Sequence, residues 1–335
     1  METALYFPYI RVPQKPWFTR VLLYWDQAAS IIPEPLWEKP DVLDPYMREL
    51  HQEQLLEYVN PVPELWDRKE IFTSEFLKLL KRLPIPAKSE RRFARLHIDK
   101  LPDILFEQLS RLELAKDREA TMEGYYYQVE VTTADAYMAY LACAISGKRP
   151  ETTLPVTEQE QAIGTLTAAT GDLKRELAQL RYAAITQALP APSGPVPAAE
   201  LKAFKEDNSE KLSRCRSFLD NKLADLAVLT DLELRRVKAD RITQELKDDV
   251  KSLQEGMNKR RWPGVALVGF GGVMGVALTT AATVATGGTA LAVGLAVGAG
   301  VLQTGGAAYA AAELIKRPRY NPRAPLAYAA LASRL

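Results

Sequence analysis

From Trp262 to Ala312 the chain runs fifty-one residues without an Asp, Glu, Lys, Arg or His, although Asp, Glu, Lys and Arg make up 25% of the 335 residues. So long an uncharged run belongs in a lipid bilayer or in a very dry protein interior, because only these reward the removal of that much apolar surface from water. Its strongest turn signal, Thr286-Gly287-Gly288-Thr289, lies close to the midpoint. The flanking stretches, Pro263 to Ala285 and Ala290 to Ala312, are twenty-three residues each. At the helical rise each covers roughly 34 Å, enough for a hydrocarbon core of ~30 Å. The expectation is a C-terminal transmembrane-type helical hairpin with its turn at Gly287 and Gly288.

Charge at the edges orients such a hairpin. Lys259, Arg260 and Arg261 precede it, Lys316, Arg317 and Arg319 follow it, and the tip has no charge. Basic flanks stay on the cytoplasmic side, so both ends face the cytoplasm and the lipid bilayer is the implied partner. Twelve of the eighteen glycines fall in this segment. Gly271 and Gly275 form one small-xxx-small pair, and Ala290, Gly294, Gly298 and Gly306 extend a flat ridge along the second stretch. Such ridges let helices approach closely, which points to a homo-oligomer. Gly and Ala contribute little to insertion, so the segment suits conditional insertion, or a soluble hairpin buried in an oligomer. A nucleotide reading of Gly269-Phe270-Gly271-Gly272-Val273-Met274 fails: the third glycine of the dinucleotide fingerprint is replaced by Met274, and no acid follows at the ribose-binding distance. No cofactor is expected.

The remaining chain has ordinary globular composition and room for two or three domains. Net charge is +1 overall, with an acidic excess before Trp262 and a basic one after it. A nucleic-acid binder shows the opposite bias over its body, so nucleic acid is not the expected partner. Cys143 and Cys215 have no cysteine or histidine neighbour at metal or redox spacing and read as packed free thiols. The polar, proline-interrupted N-terminus carries no export signal. The localisation expected is therefore the cytoplasmic side of a bacterial inner membrane.

Residues 1–156 read as a mixed α/β head. An aromatic strand over Ala4–Ile10 is followed by helical spacing over Pro16–Ser30 and an extended exit at Ile31-Ile32-Pro33, as at the start of a βα unit. Further helices are predicted at Pro45–Val59, Thr73–Arg82, Pro102–Leu114 and Thr133–Ser146, with a strand at Tyr125–Val131. Residues 157–262 read as a helical bundle or stalk, interrupted by a proline-rich connector near 189–197. Its apolar stripe includes Leu201, Phe204, Cys215, Leu219, Leu223, Leu226, Ile242, Leu246, Val250 and Leu253. Residues 263–312 form the hairpin and 313–335 a basic cytoplasmic tail.

Catalytic patterns are missing: only His51 and His97 occur, with no HExxH, P-loop, GxSxG or paired metal spacing. His97 and Asp99 have the spacing of an acid-base pair or of a capping histidine. Lys78 to Lys100 contains eight bases and two acids. Arg91, Arg92 and Arg95 within it are candidates for contact with phosphate, by charge and by bidentate hydrogen bonding.

Leu5-Tyr-Phe-Pro-Tyr-Ile-Arg-Val-Pro13, Trp17, and Leu22-Leu-Tyr-Trp-Asp-Gln-Ala-Ala-Ser-Ile-Ile-Pro33 resemble the opening of an uncharacterised bacterial family whose domain has no known function. Tyr137-Met-Ala-Tyr-Leu-Ala142, Leu154-Pro-Val-Thr157, and the Leu189-Pro190 segment leading to Phe204, Leu212 and Arg216 are similar to its later landmarks. The resemblance covers about residues 4 to 220. It implies a bacterial cytoplasmic head and no particular activity. Together these features predict a non-enzymatic, membrane-associated effector: a head that senses or assembles with a partner protein, joined to an oligomerising glycine-zipper hairpin that perturbs the membrane in stress or anti-phage defence. The alternatives are a static membrane-tethered scaffold, or an enzyme acting on nucleic acid or lipid through Lys78 to Lys100.

Overall fold

The computed structural model describes residues 2–39, 42–121, 124–149, 152–158, 173–192, 194–229, 231–257, 323–333 and 335. The chain opens with strand β1 (Glu2–Tyr6), helix α1 (Pro16–Tyr24), strand β2 (Gln27–Ile31), helix α2 (Pro45–Gln52), strand β3 (Leu56–Val59) and helices α3 (Pro61–Leu65) and α4 (Lys69–Leu80). Strand β4 (Phe93–His97), helix α5 (Asp103–Arg111), strands β5 (Ala115–Thr121) and β6 (Gly124–Glu130), helix α6 (Val131–Lys148) and strand β7 (Thr152–Val156) follow. Helices α7 (Leu173–Ala188), α8 (Ala198–Asp207), α9 (Ser209–Ala227), α10 (Leu232–Met257) and α11 (Ala327–Ala332) complete the described elements.

The four-stranded sheet is parallel, in the order β3-β2-β1-β7, and the three-stranded sheet is antiparallel, in the order β4-β6-β5. Both faces of the parallel sheet are covered. Along β1, Ala4 and Tyr6 enter one buried cluster while Leu5 and Phe7 enter the other, the alternation that a strand imposes. The first cluster is closed by α1, α2 and α7 to α11, and the second by α4, α5, α6 and the small sheet. Because α1 and α6 lie on opposite faces, the chain reverses direction between β1 and β7, the arrangement of a doubly wound sheet.

Local chemistry fixes the helix ends. Pro16 and Pro45 stand at the first helical positions, where a missing N–H costs nothing, and the Asp44 carboxylate accepts from Met47 N at 2.9 Å. Glu130 is buried because its carboxylate caps α6, accepting from Thr132 N at 2.9 Å and from Thr133 N and Oγ1 at 2.8 Å each. α2 and α5 stop in the same way. Gln54 (φ 62°) and Glu113 (φ 56°) adopt the left-handed conformation; Leu55 N donates to Leu50 O and Leu114 N to Leu109 O, both at 2.8 Å. These are Schellman closures without glycine, sealed by the buried pairs Leu50/Leu55 and Leu109/Leu114.

The expected fold class needs correction. The α/β head is present, but no helix among the described residues is long and apolar enough to cross a membrane. The segment read as a transmembrane-type hairpin lies outside the described residues. Nor do the later helices form a stalk: the apolar stripe from Leu201 to Val250 belongs to the same buried cluster as β1, α1 and α2. Burial against the head is what that stripe was patterned for. In the C-terminal stretch, Ala327, Tyr328, Ala329, Ala330 and Ala332 are 0% exposed in α11, which packs against α9 and α10.

Candidate functional site

A densely bonded polar region lies where α1 ends and β2 begins. The last carbonyls of a helix have no partner within it, and here the last two of α1 and the two that follow them are met from the C-terminal half of the chain. Leu23 O accepts from Tyr328 Oη at 2.7 Å, Tyr24 O from Arg216 Nε at 2.9 Å, and Trp25 O and Asp26 O both from Lys205 Nζ at 2.8 Å. Cations at a helix C-terminus are also favoured by its dipole. α9 and α11 are thus clasped to the end of α1 and α8 to the turn after it, and the rings of Tyr24 and Phe204 stand 5.6 and 5.3 Å from that of Tyr328.

A chain of ion pairs runs from this clasp across the amino edge of the parallel sheet. Arg216 Nη1 bonds Asp26 Oδ1 at 2.6 Å, and Asp26 Oδ2 accepts from Glu2 N at 2.7 Å. Arg181, 5% exposed, donates to Glu2 Oε1 at 2.8 Å and to both oxygens of Asp220 at 3.1 and 3.0 Å. Burial alone would raise the Asp26 carboxyl, but the charge and hydrogen bond of Arg216 hold it below the usual carboxylate range. Asp220 is lifted by burial and by Glu2, against the pull of Arg181. Lys205 is lowered to about 7 by burial and by Arg216, with Asp26 opposing. The Cys215 thiol, buried behind the clasp, is pushed up to about 12 by loss of hydration. Beside the clasp, a cavity of about 390 Å³ is walled by α8, α9 and Asp26.

Two further groupings stand at the carboxyl edge of the sheet and beside it. Where the chain reverses between β1 and β7, a position at which such sheets collect ligands, the Glu158 carboxylate takes the donors itself: Lys15 Nζ at 2.8 Å and Trp17 Nε1 at 3.1 Å. At the exit of β4, Asp99 N donates to His97 Nδ1 at 3.3 Å, so His97 caps the turn that follows the strand, and Asp99 Oδ2 stands 3.7 Å from the same nitrogen. Burial, with Lys100 and Lys39 nearby, lowers His97 to about 4. Lys100, only 2% exposed, is lowered to about 7 by burial alone.

Of the residues singled out in the sequence, Arg91, Arg92 and Arg95 lie at or beside β4, one of the two outer strands of the small sheet. Arg95 is spent on a bidentate pair with Glu119, at 3.1 and 2.6 Å. Arg91 donates to Pro86 O and Glu113 O, and Arg92 is exposed. The structure thus does not bring the three arginines together on one target. The Lys259–Arg261 and Lys316–Arg319 bases, the turn at Gly287 and Gly288, and Gly271, Gly275, Ala290, Gly294, Gly298 and Gly306 all lie outside the described residues. The clasp was missed by sequence reasoning, because Lys205 and Arg216 sit on a charged helical stretch that reads as solvated; the one available signal was their recurrence beside the apolar stripe. Comparison with protein-family models, with curated proteins and with solved structures finds no match.

Proposed function

We propose that this chain is a non-enzymatic, membrane-associated bacterial effector, in which the α/β body assembles with a partner while the uncharged segment Trp262 to Ala312 contacts and perturbs the cytoplasmic face of the inner membrane. One observation carries the reading. The described chain leaves the body at the end of α10 and is back in it at α11, and the two sides meet: Gln254 Nε2 donates to Ser333 Oγ at 3.0 Å. The body therefore brings together the described chain that precedes the uncharged segment and the described chain that follows it. Seven bases, Lys259 to Arg261, Lys316, Arg317, Arg319 and Arg323, flank that segment, which suits an anionic lipid surface at about 1 kcal/mol per base. The bacterial setting follows the resemblance of residues 4 to 220.

The test is release of a dye trapped in vesicles containing anionic phospholipid. The full chain releases it, and Gly294→Leu with Gly298→Leu, which spoils the small-residue ridge, abolishes release while the body's thermal transition is unchanged. Vesicle binding without release in the parent chain selects the static tether. Absence of binding removes both membrane readings.

A further inference from the structure

The small antiparallel sheet leaves main-chain groups without a partner along one edge. Arg92 O accepts from Val131 N at 2.9 Å, on the side of β4 that faces β6, and Glu130 N donates to Leu114 O at 2.8 Å, towards β5. Phe93 stands opposite Glu130, Ala94 opposite Val129 and Arg95 opposite Gln128. Bonded pairs alternate along such a ladder, so Arg92, Ala94 and Leu96 bond inward to β6. The N–H and C=O groups of Phe93 and Arg95 therefore point out of the sheet, and no hydrogen bond meets them among the described residues. Before β4 the chain turns to the corner between α5 and β5, where Arg91 Nη1 donates to Glu113 O at 3.0 Å and Lys88 pairs with the Glu113 carboxylate. The Arg95 side chain leans across β6 to Glu119, at 2.6 and 3.1 Å. Both thus lead away from the edge. Arg92 is exposed and has no ion pair among the described residues, so a positive charge stands free beside these groups. The other outer strand, β5, is protected by a bulge between Lys116 and Glu119 and by exposed charges of both signs at Lys116, Asp117 and Arg118. β4 has neither bulge nor proline.

We propose that the outer edge of β4 takes an extended, acidic segment of a partner protein as an added strand. Phe93 and Arg95 supply the N–H donors and C=O acceptors, at the two-residue spacing that an incoming strand matches, and Arg92 favours an acid opposite it. A second copy of this chain suits the edge poorly, because pairing β4 with β4 sets two basic strands against each other. Leu96 and His97 are buried, so the accessible part of the edge is its first half. The inference rests on one half of the proposed function, that the body assembles with a partner, and is independent of the membrane half.

The experiment follows exchange of single amide protons by NMR in the full chain, without lipid, as a short capped peptide of alternating glutamate and valine is added. Alone, the chain exchanges the Phe93 and Arg95 amides rapidly and the Ala94 and Leu96 amides slowly. The peptide is expected to slow Phe93 and Arg95 saturably, by about tenfold or more, and its lysine-for-glutamate counterpart to leave them unchanged. Arg95→Pro removes an outward donor and no inward bond, and abolishes the protection of Phe93 with the fold retained. Arg92→Glu, at an exposed position, weakens binding about fivefold. Equal protection by the lysine peptide, no protection at millimolar glutamate peptide, or unchanged binding in Arg92→Glu would each overturn the proposal. So would protection that appears without peptide and grows with protein concentration, since a second copy then occupies the edge. A failure of vesicles to release dye removes the membrane reading and leaves this result standing.

Discussion

Lys100 offers the sharpest test of the energetics, because its side chain is 2% exposed and no acid offsets its burial. The folded state releases its proton at about 7, whereas the unfolded chain holds it to 10.5. Between those values the unfolded state carries one more proton, so stability rises with pH, by at most ~1.4 kcal/mol per unit from this residue. Below pH 7 the full penalty applies, at most ~5 kcal/mol from the width of that interval. Lys205 adds a second rise of the same sign, as its value also falls to about 7. Cys215 acts oppositely above pH 9, where the unfolded thiol ionises and the folded one does not. The clean window is therefore pH 7 to 8.5. In urea denaturation across that window the parent chain gains stability, Lys100→Met removes about half of the gain, and at pH 6 the variant is more stable than the parent by about 2 kcal/mol or more. A flat parent profile, or a Lys100→Met profile as steep as the parent's, would refute the reasoning.

Arg181 bridges Glu2 and Asp220 while 5% exposed, so Arg181→Ala strips Asp220 of that pair, leaves Glu2 with Arg216 alone at 3.7 Å, and costs about 3 kcal/mol in urea denaturation. Tyr328→Ala empties a fully buried site and releases Leu23 O; a loss of ~3 to 5 kcal/mol is expected, with earlier proteolysis of the C-terminal helix. Gln54→Gly and Glu113→Gly relieve a left-handed backbone and should each leave stability unchanged or raise it by up to ~1 kcal/mol, as read by chemical denaturation.

Much of the body was legible where periodicity and capping agree. The opening strand, the helix after Pro16, the strand around Tyr126 and the helix after Glu130 all stand close to their expected places. The losses share a physical cause. Pro45–Val59 and Pro102–Leu114 read as unbroken helices because Gln54 and Glu113 end them without the glycine that normally marks a left-handed stop. β3 and the register of β5 were hidden behind those stops. β2 was absorbed into the helix before it, since Gln27-Ala-Ala-Ser30 has no strong strand preference and is held by parallel pairing on both sides. The supposed stalk was misplaced for another reason: an amphipathic stripe states that a helix is covered on one face without stating by what. The partners of the clasp were hidden because its acceptors are main-chain carbonyls, which sequence does not distinguish.

The central proposal is that the uncharged segment carried by the folded body contacts a lipid surface. Since α10 and α11, which lie on either side of that segment, are joined through Gln254 and Ser333, residues 262–312 can be exchanged for a Gly/Ser linker that leaves both helices intact. Flotation with vesicles containing anionic phospholipid tests the claim most directly. The parent chain is expected to rise with the vesicles, and the exchanged chain to remain in the dense fraction with an unaltered thermal transition. Equal flotation of the two chains, or a parent that stays with the dense fraction, would contradict it.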